Sequence, residues 1–193
     1  MVDYKVVLGV LTLVIAFVSY VPYFRDLFAG RTKPHAFSWF VWMVITGVAF
    51  GIQVSEGGGA GTWVTGVTAI LCLVIFVLAL FKNQKHFHFI DWMCLLGAFV
   101  SLAFWQLAEN PVAAAVLITL TDAIAFIPTF RKGYHKPRED TPITFGLNGL
   151  KFFISIFALE TLTLATWLYP ASLVMTNWSF ATMMYVRRRQ VKS

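Results

Sequence analysis

Seven long apolar segments, joined by short connections, account for most of this chain of 193 residues. A helix needs about 20 apolar residues to cross a bilayer. Segments of that length lie at about 5–24, 37–54, 62–81, 90–107, 111–130, 142–159 and 163–185. Charged residues make up 12% of the chain, against about 25% in a soluble domain. The pattern predicts an all-α integral membrane protein with seven transmembrane helices.

The positive charges lie almost entirely on one side of this predicted bundle. Of the 15 Lys and Arg residues, 13 follow the first, third, fifth or last segment. Only Lys5 falls on the opposite side, and Lys151 lies inside a segment. Cytoplasmic loops carry such an excess, so we expect a plasma (inner) membrane protein with its N-terminus outside and its C-terminus in the cytoplasm. This bias explains the net charge of +6 without nucleic acid as a partner.

The two halves of the chain share a local pattern. The string Pro-x-Phe-Arg occurs at 22–25 and again at 128–131, and Lys-Pro follows at 33–34 and at 136–137. Chance similarity of short strings is the alternative to an internal repeat. A repeat of three helices with one helix between the copies predicts two parallel units. The resulting parts are a first three-helix repeat, a linker helix and a second three-helix repeat, at 1–85, 86–110 and 111–193.

Two opposite charges fall inside the apolar segments. Asp122 lies in the fifth segment and Lys151 in the sixth. At a rise of about 1.5 Å per residue, they lie roughly 12 Å and 13 Å from the same membrane edge. A charge inside a bilayer is expensive and faces a partner, a cavity or a pathway. We therefore expect both side chains to face a central cavity and to interact directly, or through water or a solute.

Polar residues in the sixth segment follow a helical spacing. Thr144, Asn148, Lys151 and Ser155 are spaced i, i+4, i+7 and i+11, which places them on one face of a helix. That face either lines a polar cavity or makes hydrogen bonds to neighbouring helices.

The aromatic residues carry two further expectations. Trp39 and Trp42, near the start of the second segment, are expected to anchor the membrane interface, where Trp is enriched. Trp178 lies nearer the middle of the seventh segment, where its ring is positioned to stack on a flat or ring-shaped solute.

No residue pattern points to enzyme chemistry. All the histidines fall in loops on the basic side, at His35, His86, His88 and His135. The apolar segments therefore hold no Ser–His or Cys–His pair, and we expect a protein that is not an enzyme and has no catalytic residue. The His86-x-His88 pair is interpreted as solvated side chains rather than a metal site. Cys72 and Cys94 lie in apolar segments as core residues. No cofactor and no metal is expected.

The chain resembles the PQ-loop and SWEET class of transporters. The shared features are a proline near the cytoplasmic end of the first helix of each repeat, a basic loop after it, and the order of three helices, one linker helix and three helices. The resemblance covers nearly the whole chain in architecture, but the family's Pro-Gln dipeptide is absent at 22–23 and 128–129. It implies that Pro22 and Pro128 act in gating, where each helix bends. It also implies that Asn177 and Trp178 fill a site that the family builds from Asn and Trp. The symmetric mate of Asn177 is Cys72 or Leu73, so an Asn pair is missing.

These observations together predict a transporter, a facilitator or an ion-coupled one, that moves a small polar solute such as a sugar or metabolite by alternating access. The expected partners are this solute and the lipid bilayer, and a homo-oligomer is left open. The candidate substrate-binding residues are Asp122, Asn148, Lys151, Asn177 and Trp178. The alternative is a receptor or scaffold similar in architecture to the KDEL receptor. A retinal Schiff base is a further alternative, but the buried lysine lies in the sixth helix rather than the last.

Overall fold

The structure is a computed structural model that describes residues 3–32, 34, 36–81 and 89–191. Regular secondary structure in these ranges is entirely helical. The α helices are α1 (Tyr4–Phe28), α2 (Ala36–Ser55), α3 (Trp63–Phe81), α4 (Phe89–Gln106), α5 (Pro111–His135), α6 (Pro142–Phe157) and α7 (Leu164–Gln190). A 3₁₀ turn at Gly59–Thr62 leads into α3. The predicted all-α class is confirmed, and these described ranges form seven α helices as predicted.

Local chemistry fixes where several helices begin. The Asp3 side chain accepts a hydrogen bond from the backbone N–H of Lys5 at 2.9 Å, at the start of α1. The Asn110 side chain accepts one from the Ala113 N–H at 3.0 Å, at the start of α5. Such caps satisfy N–H groups that have no partner within the helix. Pro22 and Pro128 lie inside α1 and α5 rather than at their ends.

Four of the helical segments are long and apolar enough to cross a membrane, by length and composition. They are Tyr4–Phe28, Ala36–Ser55, Gly59–Phe81 and Pro111–His135. Two shorter apolar helices are Trp92–Gln106 and Pro142–Phe157. Large apolar side chains such as Phe17, Ile70 and Phe99 are more than half exposed on the outside of the bundle.

The helices pack in two sets of three. Helix α3 packs against both α1 and α2, and α7 packs against both α5 and α6. Between the sets, α1 packs on α6 and α2 packs on α5, while α4 contacts α5 and α2. The space at the centre is therefore bounded by helices from both halves of the chain.

At the end where α2 and α6 finish, the two following connections touch through glycines. The backbone N–H of Glu160 donates to the Gly58 carbonyl at 3.2 Å. A Cβ added to Gly61 would lie 2.6 Å from the Leu159 backbone nitrogen. Only a residue without a side chain permits this approach. We call this packing of residues 57–61 on residues 155–160 the glycine contact.

Candidate functional site

A cavity of about 50 Å³ lies at the centre of the bundle. This is room for a few waters or part of a small solute, since one water needs about 10–15 Å³ on this measure. The side chains around this central cavity are mostly aromatic or polar. They are Tyr20, Trp39, Trp42, Thr46, Thr68, Cys72, Asp122, Phe126, Phe145, Asn148, Phe152, Tyr169, Leu173 and Asn177.

Asp122 brings a carboxylate to the wall of the central cavity. Its side chain is 1% exposed, and its Oδ2 atom has no hydrogen-bond partner. No described Lys or Arg nitrogen approaches it within 4.0 Å. A buried carboxylate without a partner is unfavourable. The cavity therefore presents an acceptor that a hydrogen-bond donor or a cation would satisfy.

Lys151 is fully buried and forms no ion pair with Asp122. Its ammonium donates to the Thr68 hydroxyl on α3 at 2.9 Å. The same Nζ atom lies 5.0 Å from the centres of the Tyr20 and Phe152 rings, within the range of cation–π attraction. The predicted direct interaction with Asp122 is not formed. The reason is packing: α6 lies on α1, and α7 packs between α6 and α5, so the lysine reaches α1 and α3 instead.

The predicted polar stripe of α6 does share one buried face. Thr144, Asn148, Lys151 and Ser155 are all buried. Asn148 lines the central cavity and accepts a hydrogen bond from the Ser19 hydroxyl on α1 at 3.3 Å. The stripe therefore combines the two expected roles, since Asn148 faces the cavity and Lys151 joins α6 to α3.

Asn177 and Trp178 point in different directions from α7. Asn177 is 3% exposed, lines the central cavity and donates from Nδ2 to the Leu173 carbonyl at 2.8 Å. Trp178 is 39% exposed and does not line the cavity. Its indole N–H donates to the Gly146 carbonyl on α6 at 3.1 Å. Successive helical residues are about 100° apart around the axis, so Asn177 faces the central cavity while Trp178 does not line it.

The prediction that Trp39 and Trp42 anchor the membrane interface is wrong. Trp39 is 7% exposed, and its ring centre lies 5.3 Å from that of Tyr23 and 5.2 Å from that of Trp42. Both indoles line the central cavity. The sequence does carry a signal for this, because Trp42 precedes the cavity residue Asn148 by 106 positions, the spacing between Pro22 and Pro128.

Two tyrosines of the cavity wall were also not predicted from the sequence. Tyr20 and Tyr169 are both buried, and the Tyr169 hydroxyl lies 3.2 Å from the Thr46 hydroxyl. A buried Tyr is favoured where its hydroxyl finds a partner. Each sits in a long apolar run whose composition gives no sign of which face is inward.

A second cavity of about 50 Å³, which we call the vestibule, continues toward the start of α6. It shares Trp39, Trp42 and Phe145 with the central cavity. Asp140 lines its outer part, with the Lys132 ammonium 3.2 Å from Oδ2. Burial raises the pKa of the Asp140 carboxyl, and the Lys132 charge offsets part of that shift. The three aromatic rings therefore form the boundary between the two spaces.

The described residues contain no cluster of side chains suited to bind a metal ion. No group of three or more His, Cys, Asp or Glu side chains there is placed to hold an ion. The predicted solvated pair His86 and His88 lies outside the described residues. Among the described residues, Cys72 and Cys94 are both buried, and they form no disulfide bond.

Comparison of the chain with protein-family models, curated proteins and solved structures finds no match. Any function for this chain therefore has to be inferred from its own residues and their arrangement.

Proposed function

We propose that this protein is an integral membrane transporter that binds a small polar solute in the central cavity and moves it by alternating access. The observation that carries the proposal is the buried Asp122 carboxylate, whose Oδ2 atom lacks a partner and borders the cavity. Leaving a buried polar group unsatisfied costs about 1–3 kcal/mol, and more if it is charged. A solute that donates a hydrogen bond there would remove that cost.

The membrane setting rests on length, composition and charge. Four helical segments reach spanning length, and large apolar side chains cover much of the outside of the bundle. Such a surface is unfavourable in water and favourable in lipid. The one-sided distribution of Lys and Arg favours an external N-terminus and a cytoplasmic C-terminus.

The residues around the central cavity support an internal repeat. Twelve of its fourteen lining residues form six pairs that are 105 or 106 positions apart in the sequence. Pairs 106 positions apart are Tyr20/Phe126, Trp39/Phe145, Trp42/Asn148 and Thr46/Phe152, and pairs 105 apart are Thr68/Leu173 and Cys72/Asn177. Equivalent helices contribute equivalent positions, as expected for a cavity on the axis between two parallel three-helix units.

The packing of the helices has the same symmetry. The contact of α1 with α6 corresponds to the contact of α5 with α2. Helix α7 packs against α5 and α6 in the same way that α3 packs against α1 and α2. Asp122 and Tyr169 are the two lining residues without a paired mate in the wall. The negative charge is therefore offered from one side of the axis only, which would orient a bound solute.

Two barriers define the proposed access path. On the external side, the glycine contact holds the α2–α3 and α6–α7 connections together. On the cytoplasmic side, Trp39, Trp42 and Phe145 separate the central cavity from the vestibule. Pro22 and Pro128 lie on the cytoplasmic halves of α1 and α5. Each removes a backbone hydrogen bond and so provides a place to bend, which makes these prolines the proposed gating residues.

The chemistry of the wall defines the solute class. Aromatic rings supply flat apolar surface, and the amides of Asn148 and Asn177 with the Asp122 carboxylate supply polar contacts. This wall suits a small molecule, such as a sugar or metabolite, with a hydrogen-bond donor on an otherwise flat face.

The proposal is tested by a thermal-shift screen followed by flux. Purified protein is screened against small polar solutes, because a ligand with affinity only for the folded state raises the melting temperature Tm. Each hit is then measured for uptake into proteoliposomes, with Asp122→Asn as the matched variant. Uptake that depends on Asp122 supports the proposal. Binding without uptake would instead assign the protein to the receptor class.

A further inference from the structure

A large open cleft lies at the end of the bundle where α1 and α7 finish. Its volume is about 570 Å³, and it meets the vestibule at Asp140. Four arginines and two aspartates dominate its lining: Arg25, Arg31, Arg138, Arg188, Asp26 and Asp140. We call it the arginine cleft. The positive-inside count places it on the cytoplasmic side.

Both carboxylates of the arginine cleft are already engaged. Asp26 lies 2.6 Å from a guanidinium nitrogen of Arg31 and 3.1 Å from one of Arg25. Asp140 is paired with Lys132, which lies outside the cleft lining. Their negative charge is therefore directed at specific cations and is not left to balance the whole cleft.

The remaining arginines keep a surplus of positive charge. Arg188 donates to the Pro137 carbonyl at 2.8 Å and to the Asp140 carbonyl at 2.6 Å. Both acceptors are neutral, so they position the guanidinium without cancelling its charge. Arg138 is exposed and makes no hydrogen bond or ion pair with any residue in the described part of the chain. The lining holds four arginines and two aspartates, a net charge of +2, and Lys132 adds a further positive charge beside Asp140.

The hydrogen bonds around the cleft hold its parts in place. The Thr141 hydroxyl donates to Asp26 Oδ2 at 3.0 Å, which joins the connection before α6 to the end of α1. The two bonds of Arg188 join that connection to the end of α7. The segments that carry the cations are therefore joined by hydrogen bonds, so the arginines are partly positioned before an anion binds.

We propose that the arginine cleft binds a phosphate monoester, supplied either by a lipid headgroup or by a soluble phosphorylated compound. A phosphate monoester carries a charge of about −1.5 to −2 at neutral pH, which complements the net positive charge of the cleft. Its oxygens accept paired N–H bonds from guanidinium groups. Clusters of basic residues at the cytoplasmic membrane surface also attract anionic headgroups. This site is separate from the central cavity and does not depend on transport.

The first test measures inorganic phosphate binding to the full-length protein in detergent, as the rise of Tm with phosphate against chloride at equal ionic strength. Arg138→Gln removes one cleft cation that has no described partner, and it is expected to weaken binding about tenfold. Arg131→Gln removes an equal charge from an exposed α5 residue outside the cleft. It is expected to leave binding within about twofold.

The second test identifies the source of the phosphate. The protein is reconstituted in phosphatidylcholine nanodiscs that contain phosphatidic acid or phosphatidylglycerol at equal fractions, and retained lipid is measured by native mass spectrometry. Selective retention of phosphatidic acid, reduced in Arg138→Gln but not in Arg131→Gln, assigns a lipid headgroup. Binding of inorganic phosphate without that preference assigns a soluble compound. The proposal is overturned if neither probe binds, or if the two variants lose binding equally.

Discussion

Asp122→Asn is expected to stabilise the protein without solute while abolishing solute binding. The wild-type Oδ2 atom is buried and has no partner, and no described cation lies within ion-pair distance of it. A neutral amide of the same shape removes the buried charge and leaves the cavity wall intact. This behaviour is the reverse of what the loss of an ion-pair partner would cause, which in soluble proteins costs about 3–5 kcal/mol.

The size of the effect follows from the additional cost of leaving a charged rather than a neutral buried group unsatisfied, on the order of 1–2 kcal/mol. A gain of about 1–2 kcal/mol corresponds to a rise in Tm of about 2–8 °C for a chain of this length. Tm is measured in detergent with and without a solute found by screening. Glu109→Gln is the matched control, because the same change at an exposed carboxylate is expected to stay within about 0.5 kcal/mol.

A fall in Tm for Asp122→Asn would refute this reasoning, since it would mean that the carboxylate has a stabilising partner. The double variant with Lys151→Met identifies that partner. We expect the two changes to add within about 0.5 kcal/mol, because the side chains do not touch. A larger coupling free energy would indicate that Asp122 and Lys151 interact through water, as their similar predicted depth allows.

Three further predictions concern other parts of the fold. Lys151→Met is expected to change the free energy of unfolding by less than about 1.5 kcal/mol, because Met fills a similar volume and the Thr68 hydroxyl still donates to the Val64 carbonyl at 2.6 Å. Lys151→Ala is expected to lower the free energy of unfolding by about 2–5 kcal/mol, because it leaves a cavity. Chemical denaturation of both variants measures the difference. Pro22→Ala and Pro128→Ala should each leave the protein folded but slow solute uptake, because a straighter helix resists bending; unchanged uptake in both would exclude a gating role. Burial raises the pKa of Asp140 in the folded state. Above about pH 3.9 the folded protein therefore binds more protons at this carboxyl than the unfolded chain does. The contribution of Asp140 to stability then falls as the pH rises through the raised pKa. Asp140→Asn should therefore gain stability over the wild type as the pH rises, and Tm measured across that window should show no such trend if the carboxyl is not perturbed.

The number of helices and their positions could be predicted from the sequence because hydropathy and the cost of burying backbone polar groups act along the chain. The segment predicted at 37–54, for example, is the helix Ala36–Ser55. Helical spacing likewise predicts that Asn148 shares a face with Thr144, Lys151 and Ser155, and all four are buried.

The direction in which a side chain points was less accessible. Lys151 and Asp122 have similar predicted depth, but the rotation and packing of their helices decide which groups meet, and hydropathy does not encode these. A Trp near the end of a helix satisfies the interface pattern whether it faces lipid or the centre, so Trp39 and Trp42 were misassigned. For residues in α1, α2, α5 and α6, the repeat spacing of 106 positions is the signal that resolves this ambiguity.

Alternating opening of the central cavity to the two sides of the membrane can be tested without knowing the solute. Cys72 lines the central cavity, whereas the other thiol, Cys94, is buried and does not. In a Cys94→Ser background, a small membrane-impermeant thiol reagent is applied to oriented proteoliposomes from either side, and the labelling rate of Cys72 is measured. Cys72→Ser gives the background rate.

We expect labelling of Cys72 from both sides, with faster external labelling in Gly61→Ala, because the added Cβ forces the glycine contact apart. Labelling from one side only, unchanged by Gly61→Ala, would contradict alternating access and leave a cavity that serves binding alone.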